Sequence, residues 1–364
     1  MADKKRSEVW FLRNIGLMMT YRCQVACPHC VVEAGPHRRE EVDLEEALRW
    51  VQQISAYRGG HIRALSLTGG EPFCVFEKLK RVTAVASSLG LVVTVVTNAY
   101  WAEDKRKAVE TLRSIPGLDM IGISSDVYHQ KLIPFDRVKN AALAAKECNL
   151  PFRILVSTES ETAPEYLAVI ERLSEVAAPE NISTVRTFLA GRALASMQST
   201  KFELSETPCP CACDAAGAPV LFPDGRAVAC VGALIGLRSW HPLTLGNLRE
   251  TSLEEILDKA EQNPILHAIR IWGPRKLIAM VADSGPKAEL PGRYIADSNC
   301  DLCYALFTNP RIVQYLDRLG QDQDFRRTTA YGRVYYLNEP EMVPHLKEGY
   351  CNASYDGPAP SKTN

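Results

Sequence analysis

The feature that most constrains this chain is a repeated couplet: a short β-branched run followed by an amphipathic stretch. Runs rich in Val, Ile, Leu and Thr fall at residues 14–20, 64–68, 92–97, 120–124, 152–157 and 182–188. Buried parallel strands read this way because both of their faces are covered. Helical periodicity fills residues 44–57, 76–89, 104–114, 138–149 and 164–177 between them. Asp43 followed by Glu46 predicts a capped start for the first helix. Such couplets call for an α/β fold around a parallel sheet with right-handed crossovers. Pattern alone leaves a barrel and an open doubly wound sheet both standing.

The rhythm stops near Gly191, and from Thr207 the chain becomes rich in Pro and Cys. A Pro-Asp-Gly run at 223–225 predicts a hairpin. The expected organisation is a tail over 1–12, an α/β unit over 13–200, a second unit over 201–310, and a C-terminal helix and tail over 311–364. Residues 272–299, broken by Gly and Pro, read as an insertion or long loop. A helix is expected over 310–319, and disorder from Asn352 onward. The net charge of −1 gives no reason to expect nucleic acid or an anionic membrane as the main partner. The apolar stretch at 82–96 is too short to span a bilayer. The polar N-terminus shows no secretory signal, so a cytoplasmic protein is expected and the Asn352-Ala-Ser sequon carries no meaning.

Twelve cysteines stand out in that setting. Disulfide frameworks belong to small secreted domains, so clustered cysteines here read as metal ligands. Cys23, Cys27 and Cys30 follow the first strand. Three thiolates within eight residues can wrap one metal centre. A cubane iron–sulfur cluster normally takes four cysteines, so three leave one iron open. Zinc with His29 or His37 as fourth ligand is the competing reading. The second strand ends in Gly69, Gly70, Glu71 and Pro72. The glycines permit close backbone approach, and the Glu carboxylate can accept from an ammonium group. On its own this run is a tight turn.

Together these residues resemble the radical S-adenosylmethionine (SAM) superfamily, over roughly residues 12–195. The resemblance implies a partial (β/α)6 TIM-like barrel. It implies that Cys23, Cys27 and Cys30 hold a [4Fe-4S] cluster whose open iron is chelated by SAM. Gly69, Gly70, Glu71 and Pro72 would then bind SAM, the first three along its amino group. His29 stands where the family has an aromatic residue near the adenine, a departure from the pattern that can still stack. Ser124 and Asp126, at the fourth strand's end, match positions near the SAM ribose. The implied chemistry is one-electron cleavage of SAM to a 5′-deoxyadenosyl radical, which takes hydrogen from an unactivated carbon. Thr97 and Asn98 mark the third strand's end. Tyr128 and His129 read as structural, with a substrate-facing role as the alternative. Arg153 and Arg186 read either as partners of a carboxylate inside the barrel or as structural salt bridges.

A second set, Cys213-x11-Gly225-x4-Cys230 and Cys300-x2-Cys303, reads as a four-thiolate site closed by distant segments, which zinc would also accept. It resembles the Twitch domain, the shortened relative of the SPASM domain, with a β-hairpin and a helix. That implies one auxiliary [4Fe-4S] cluster on Cys213, Cys230, Cys300 and Cys303. Cys209 and Cys211 compete with Cys213 for the first position, and Cys213 is favoured. Cys351 is a candidate hydrogen-atom donor, with a small buried residue as the alternative; Cys74 and Cys148 read as buried apolar residues. The expected function is a radical SAM oxidoreductase maturing a ribosomal peptide. The alternatives are a sugar or aminocyclitol dehydrogenase or epimerase and, in a different class, a zinc-binding interaction protein. Expected partners are the peptide or small-molecule substrate, an electron donor such as flavodoxin or ferredoxin, and a separate peptide-recognition protein.

Overall fold

The structure is a computed structural model that describes residues 11–197 and 202–347. Six strands lie side by side in chain order, all parallel. They are β1 (Asn14–Met18), β2 (Ala64–Thr68), β3 (Val92–Thr97), β4 (Met120–Ser124), β5 (Phe152–Thr158) and β6 (Ile182–Arg186). The connecting helices are α1 (Leu44–Ala56), α2 (Phe76–Ser88), α3 (Lys105–Arg113), the short α4 (Val127–Gln130), α5 (Phe135–Glu147) and α6 (Pro164–Leu173). A single turn, α7 (Ala193–Ser196), follows β6. This is the parallel (β/α)6 arrangement of a partial TIM-like barrel, with β6 at its edge.

Local sequence accounts for these elements. The Asp43 side chain accepts from the Glu46 amide and starts α1. One face of α1 then buries Ala47, Trp50, Val51 and Ile54. Each large apolar side chain so buried contributes about 1.5–3 kcal/mol. β1 ends earlier than its apolar run because Thr20 turns to the loop that follows: its hydroxyl donates to the Glu40 carbonyl at 3.0 Å. The segment from Tyr21 to Glu41 thereby folds back on itself, with the Gly35 amide on the Tyr21 carbonyl and the Tyr21 amide on the Glu40 carbonyl.

Beyond α7 come β7 (Leu204–Ser205), β8 (Ala216–Leu221), β9 (Arg226–Cys230) and β10 (Thr244–Asn247). β8 pairs parallel to β1, and β9 and β10 add antiparallel, giving one nine-stranded sheet in the order β10-β9-β8-β1-β2-β3-β4-β5-β6. The expected hairpin forms at Gly225, whose φ of 85° and amide bond to the Phe222 carbonyl close the turn. Then follow α8 (Leu253–Glu261), α9 (Pro264–Trp272), α10 (Arg275–Ser284), β11 (Tyr294–Ile295), α11 (Asn299–Thr308), α12 (Pro310–Leu319), α13 (Gln323–Leu337) and α14 (Val343–Lys347). β11 pairs with β7 in a separate small sheet.

Two expectations need correction. Residues 272–299 are not a long loop, since α10 occupies Arg275–Ser284. Pro274 and Gly285, which read as loop signals, are its two caps. The C-terminal stretch also holds α13 and α14 besides the expected helix. α13 is fastened to α9 by buried ions: Arg270 and Arg333 both bind Glu339.

Candidate active site

The chain leaving β1 carries Cys23, Cys27 and Cys30 in the loop beside the β2 end. Cys23 and Cys27 are buried and Cys30 is half-buried. The Ala34 amide donates to the Cys30 sulfur at 3.3 Å, and the Asn98 side-chain amide donates to the Cys23 sulfur at 3.4 Å. Burial pushes the metal-free Cys23 thiol up to about 12. A positive centre is therefore needed to hold it as thiolate.

The β2 end forms the wall of this loop. A Cβ on Gly69 would lie 2.6 Å from the Thr20 carbonyl oxygen, so only glycine lets the two segments meet. The Gly70 and Glu71 amides donate to the carbonyls of Thr20 and Arg22. Glu71 is fully buried and accepts from Thr97 Oγ1 at 2.7 Å, the Asn98 amide at 2.8 Å and the Phe73 amide at 3.1 Å. It caps the 3-10 turn at Pro72–Val75. Burial raises its carboxyl to about 7, against those hydrogen bonds. Glu71 thus orients Asn98, which in turn touches Cys23, and one lone pair of Oε2 is left for an outside donor. The link through Asn98 has no local signal in the sequence beyond its place at the β3 end.

The β4 end supplies a second group. Asp126 is buried and accepts from the amides of Tyr128 and His129 and from His129 Nδ1 at 2.8 Å. Burial works against its carboxylate, yet the charge and hydrogen bond of His129 hold it at about 2. Burial likewise opposes the His129 imidazolium, and Asp126 overrides it, keeping that group well above the ordinary histidine range. The Cys27 thiol lies near enough to His129 to favour its charged form as well. His29 Nε2 stands 3.5 Å from Asp126, but burial lowers His29 to about 4, so it is a neutral ring rather than an ion-pair partner. Its ring faces Tyr128 at 4.8 Å. Tyr128 is anchored by its hydroxyl on Glu159 at 2.7 Å. Ser124 ends β4 half-buried on the same rim. Arg153 and Arg186 do not pair with a carboxylate among the described residues. Arg153 points outward to the Ser183 hydroxyl, and Arg186 donates to the Glu159 carbonyl.

The second thiol set converges from three segments. Cys213 is held where its amide donates to the Ile269 carbonyl at the end of α9. Cys230 ends β9. Cys300 and Cys303 sit three apart on the first turns of α11, hence on one face. The Cys303 thiol lies in electrostatic contact with Cys213, Cys300 and Cys230. Backbone amides of Gly232 and Ala233 reach Cys230 and Cys300. A Cβ on Gly232 would lie 2.9 Å from the Cys300 sulfur. Cys209 and Cys211 interact with each other instead. Cys74 and Cys148 are half-buried. Cys351 lies outside the described residues.

Among the described residues, only His29, Asp126 and His129 bring three metal-binding atoms within 4.8 Å of one another. Neither thiol set is drawn in that far. Four thiolates on one tetrahedral zinc would stand about 3.8 Å apart, from Zn–S bonds of about 2.3 Å.

Comparison with known proteins bears on the part of the chain that holds the first site. The family model described as the radical SAM superfamily matches residues 17–185. This part of the chain is a radical SAM domain. YydG of Bacillus subtilis, whose name assigns it to peptide biosynthesis, is 20% identical over 310 residues, 83% of this chain and 94% of its own length. A Methanopyrus kandleri protein named as a GTP 3',8-cyclase is 26% identical over 187 residues, 48% of this chain and 56% of its own. The solved structure of anSMEcpe with bound AdoMet and the Kp18Cys peptide shares the fold at a TM-score of 0.51 and 12% identity, covering 92% of this chain and 99% of that one. The radical SAM family matched over residues 17–185 implies a [4Fe-4S] cluster and SAM. The radical SAM loop fits them. Two of its three thiols already receive N–H donors, and the buried Gln24 Oε1 and His29 Nδ1 have no partner within the protein. No described helix is long and apolar enough to cross a membrane.

Proposed function

We propose that this radical SAM enzyme is an oxidoreductase that modifies a ribosomally made peptide. In this reading Cys23, Cys27 and Cys30 hold the cluster that works with SAM, and Cys213, Cys230, Cys300 and Cys303 hold an auxiliary [4Fe-4S] cluster. When bound, SAM and its cluster supply a radical able to take hydrogen from an unactivated carbon. The protein's part is to position and to exclude water. Asn98 and Ala34 donate to the thiolates. Gly69 and Gly70 keep the β2 wall flat against the cluster loop, and the open lone pair of Glu71 faces an ammonium. His29 offers a neutral ring beside the Asp126–His129 pair.

The observation that carries the oxidoreductase reading is the second thiol set. All four of its thiols belong to the protein, so it has no corner for a substrate. Its use is to take the electron left on the substrate after hydrogen removal, which completes a two-electron oxidation with loss of a proton. The peptide reading is supported by the name of YydG, matched over most of both chains. The work takes place in a reducing cytoplasm, where such clusters survive.

The test is anaerobic turnover with short peptides encoded beside the gene, read by mass spectrometry. A product lighter by two hydrogens supports the proposal. A product of unchanged mass carrying solvent deuterium would make the enzyme an epimerase. No reaction with any such peptide, alongside turnover of a sugar or aminocyclitol, would overturn the peptide assignment.

A further inference from the structure

The cluster loop is held from the opposite side of the barrel. After β6 the chain makes a tight bend at Gly191, with φ of 58°, where any Cβ would collide with the Val31 carbonyl. Arg192 then reaches into the loop. Its Nη1 donates to the Cys27 carbonyl at 2.7 Å and its Nη2 to the Ala34 carbonyl at 2.6 Å. Its own amide donates to the Cys30 carbonyl at 3.1 Å. One turn of α7 later, Ser196 Oγ donates to the Pro28 carbonyl at 2.6 Å. Four carbonyls of the loop are thus gathered by one five-residue segment that is remote in sequence.

We propose that Arg192, seconded by Ser196, is a positioning latch for the radical SAM cluster loop. Three observations argue for it. First, no regular strand or helix lies between Cys23 and Ala34, so the loop has little to fix it except these bonds and the β2 wall. Second, the Arg fork spans the loop from Cys27 to beyond Cys30, which sets the separation of two thiols; a point-charge ammonium cannot grip two carbonyls in that plane. Third, binding the carbonyls on one side leaves the opposite side of the loop to present its N–H groups, as the Ala34 amide does to Cys30. The latch also joins β6 to the β1 loop across the open side of the partial barrel. Arg192 touches neither a thiol nor any reacting atom on this account; it acts through the loop. None of this depends on which substrate is used.

The experiment compares Arg192→Lys, Arg192→Gln and Ser196→Ala with the full-length holoenzyme, all reconstituted anaerobically. The readouts are the EPR signal of the reduced cluster with and without SAM, the SAM dissociation constant, the rate of iron loss to a chelator, and the melting temperature of the metal-free protein. Losing the fork removes two charge-assisted hydrogen bonds, so SAM binding should weaken at least about tenfold and iron loss should speed up by a similar factor. Lys, which keeps the charge, should recover only part of either effect. Ser196→Ala should give a smaller change in the same direction. The SAM-induced EPR shift should broaden in Arg192→Gln, a signature that a general loss of stability would not produce. Arg192→Gln with wild-type SAM affinity, iron retention and EPR line shape would overturn the proposal. So would full rescue by Lys, or parallel losses explained entirely by a lowered melting temperature. Because no readout uses a peptide, failure of the substrate assignment leaves this result unaffected.

Discussion

The two thiol sites of this protein are built in opposite ways. The first draws Cys23, Cys27 and Cys30 from one loop and leaves part of its surroundings unsatisfied, with Gln24 Oε1 and His29 Nδ1 buried and unpartnered. The second draws Cys213, Cys230, Cys300 and Cys303 from the segment before β8, the end of β9 and the start of α11, and encloses Cys230 and Cys303. A site with a thiol missing invites a ligand. A site with all its thiols supplied can only exchange electrons or hold the fold together. The comparison therefore predicts that damage to the first site stops the cofactor chemistry, while damage to the second stops the reaction after it.

The largest expected effect is at the first site. Cys27→Ala should bring reductive SAM cleavage to background, measured as 5′-deoxyadenosine formed under dithionite. Cys230→Ala should spare that cleavage, lower the iron content by about four per chain, and block product formation. Turnover to finished product by the Cys230 variant would show that the second site is structural, and the contrast between the sites would fail.

An intermediate effect is expected at Glu71. Replacing it with Ala strips the acceptor from three donors, Thr97 Oγ1 and the amides of Asn98 and Phe73. The cost should be about 3 kcal/mol, since each buried donor left unpaired costs about 1–3. Urea unfolding of the metal-free protein reads it directly. An unchanged midpoint would mean that the β2 wall is held by its backbone alone.

The smallest effect lies far from both sites. Fully buried His267 accepts from Arg270 on Nδ1 and donates from Nε2 to the Glu261 carbonyl, a pairing that requires the neutral ring. Burial, with Arg333 and Arg270 adding to it, keeps its pKa well below the ordinary value of 6.5. The unfolded chain takes up the proton first. Its contribution is therefore complete above pH 6.5 and declines as the pH falls below it, by up to about 2 kcal/mol at pH 5. His267→Gln should remove this slope from the stability profile without changing iron content at either site.

The same contrast explains what could be read from the sequence. The β2, β3 and β4 bounds and the three-cysteine loop were legible because each depends on neighbours in the chain: apolar runs, an Asp43 cap, a fixed thiol spacing. The second thiol set shows in the sequence only as its Gly-x4-Cys and Cys-x2-Cys fragments. Choosing Cys213 over Cys209 and Cys211 depends on where α9 ends in space. The Glu71–Asn98–Cys23 chain, the approach of His29 to Asp126 and the Arg192 latch each join residues from different strand ends. No local spacing encodes such contacts. α10 was misread for a related reason, since Pro274 and Gly285 punctuate both loops and helix ends, and only packing decides between the two.

The central claim is that the Cys23, Cys27 and Cys30 loop carries a redox centre with a place for SAM. Anaerobically purified protein, reduced and examined by EPR before and after adding SAM, tests it most directly. The account predicts a reducible iron–sulfur signal whose line shape changes with SAM and which Cys27→Ala removes. A protein with no reducible centre, or one whose signal ignores SAM, would contradict it.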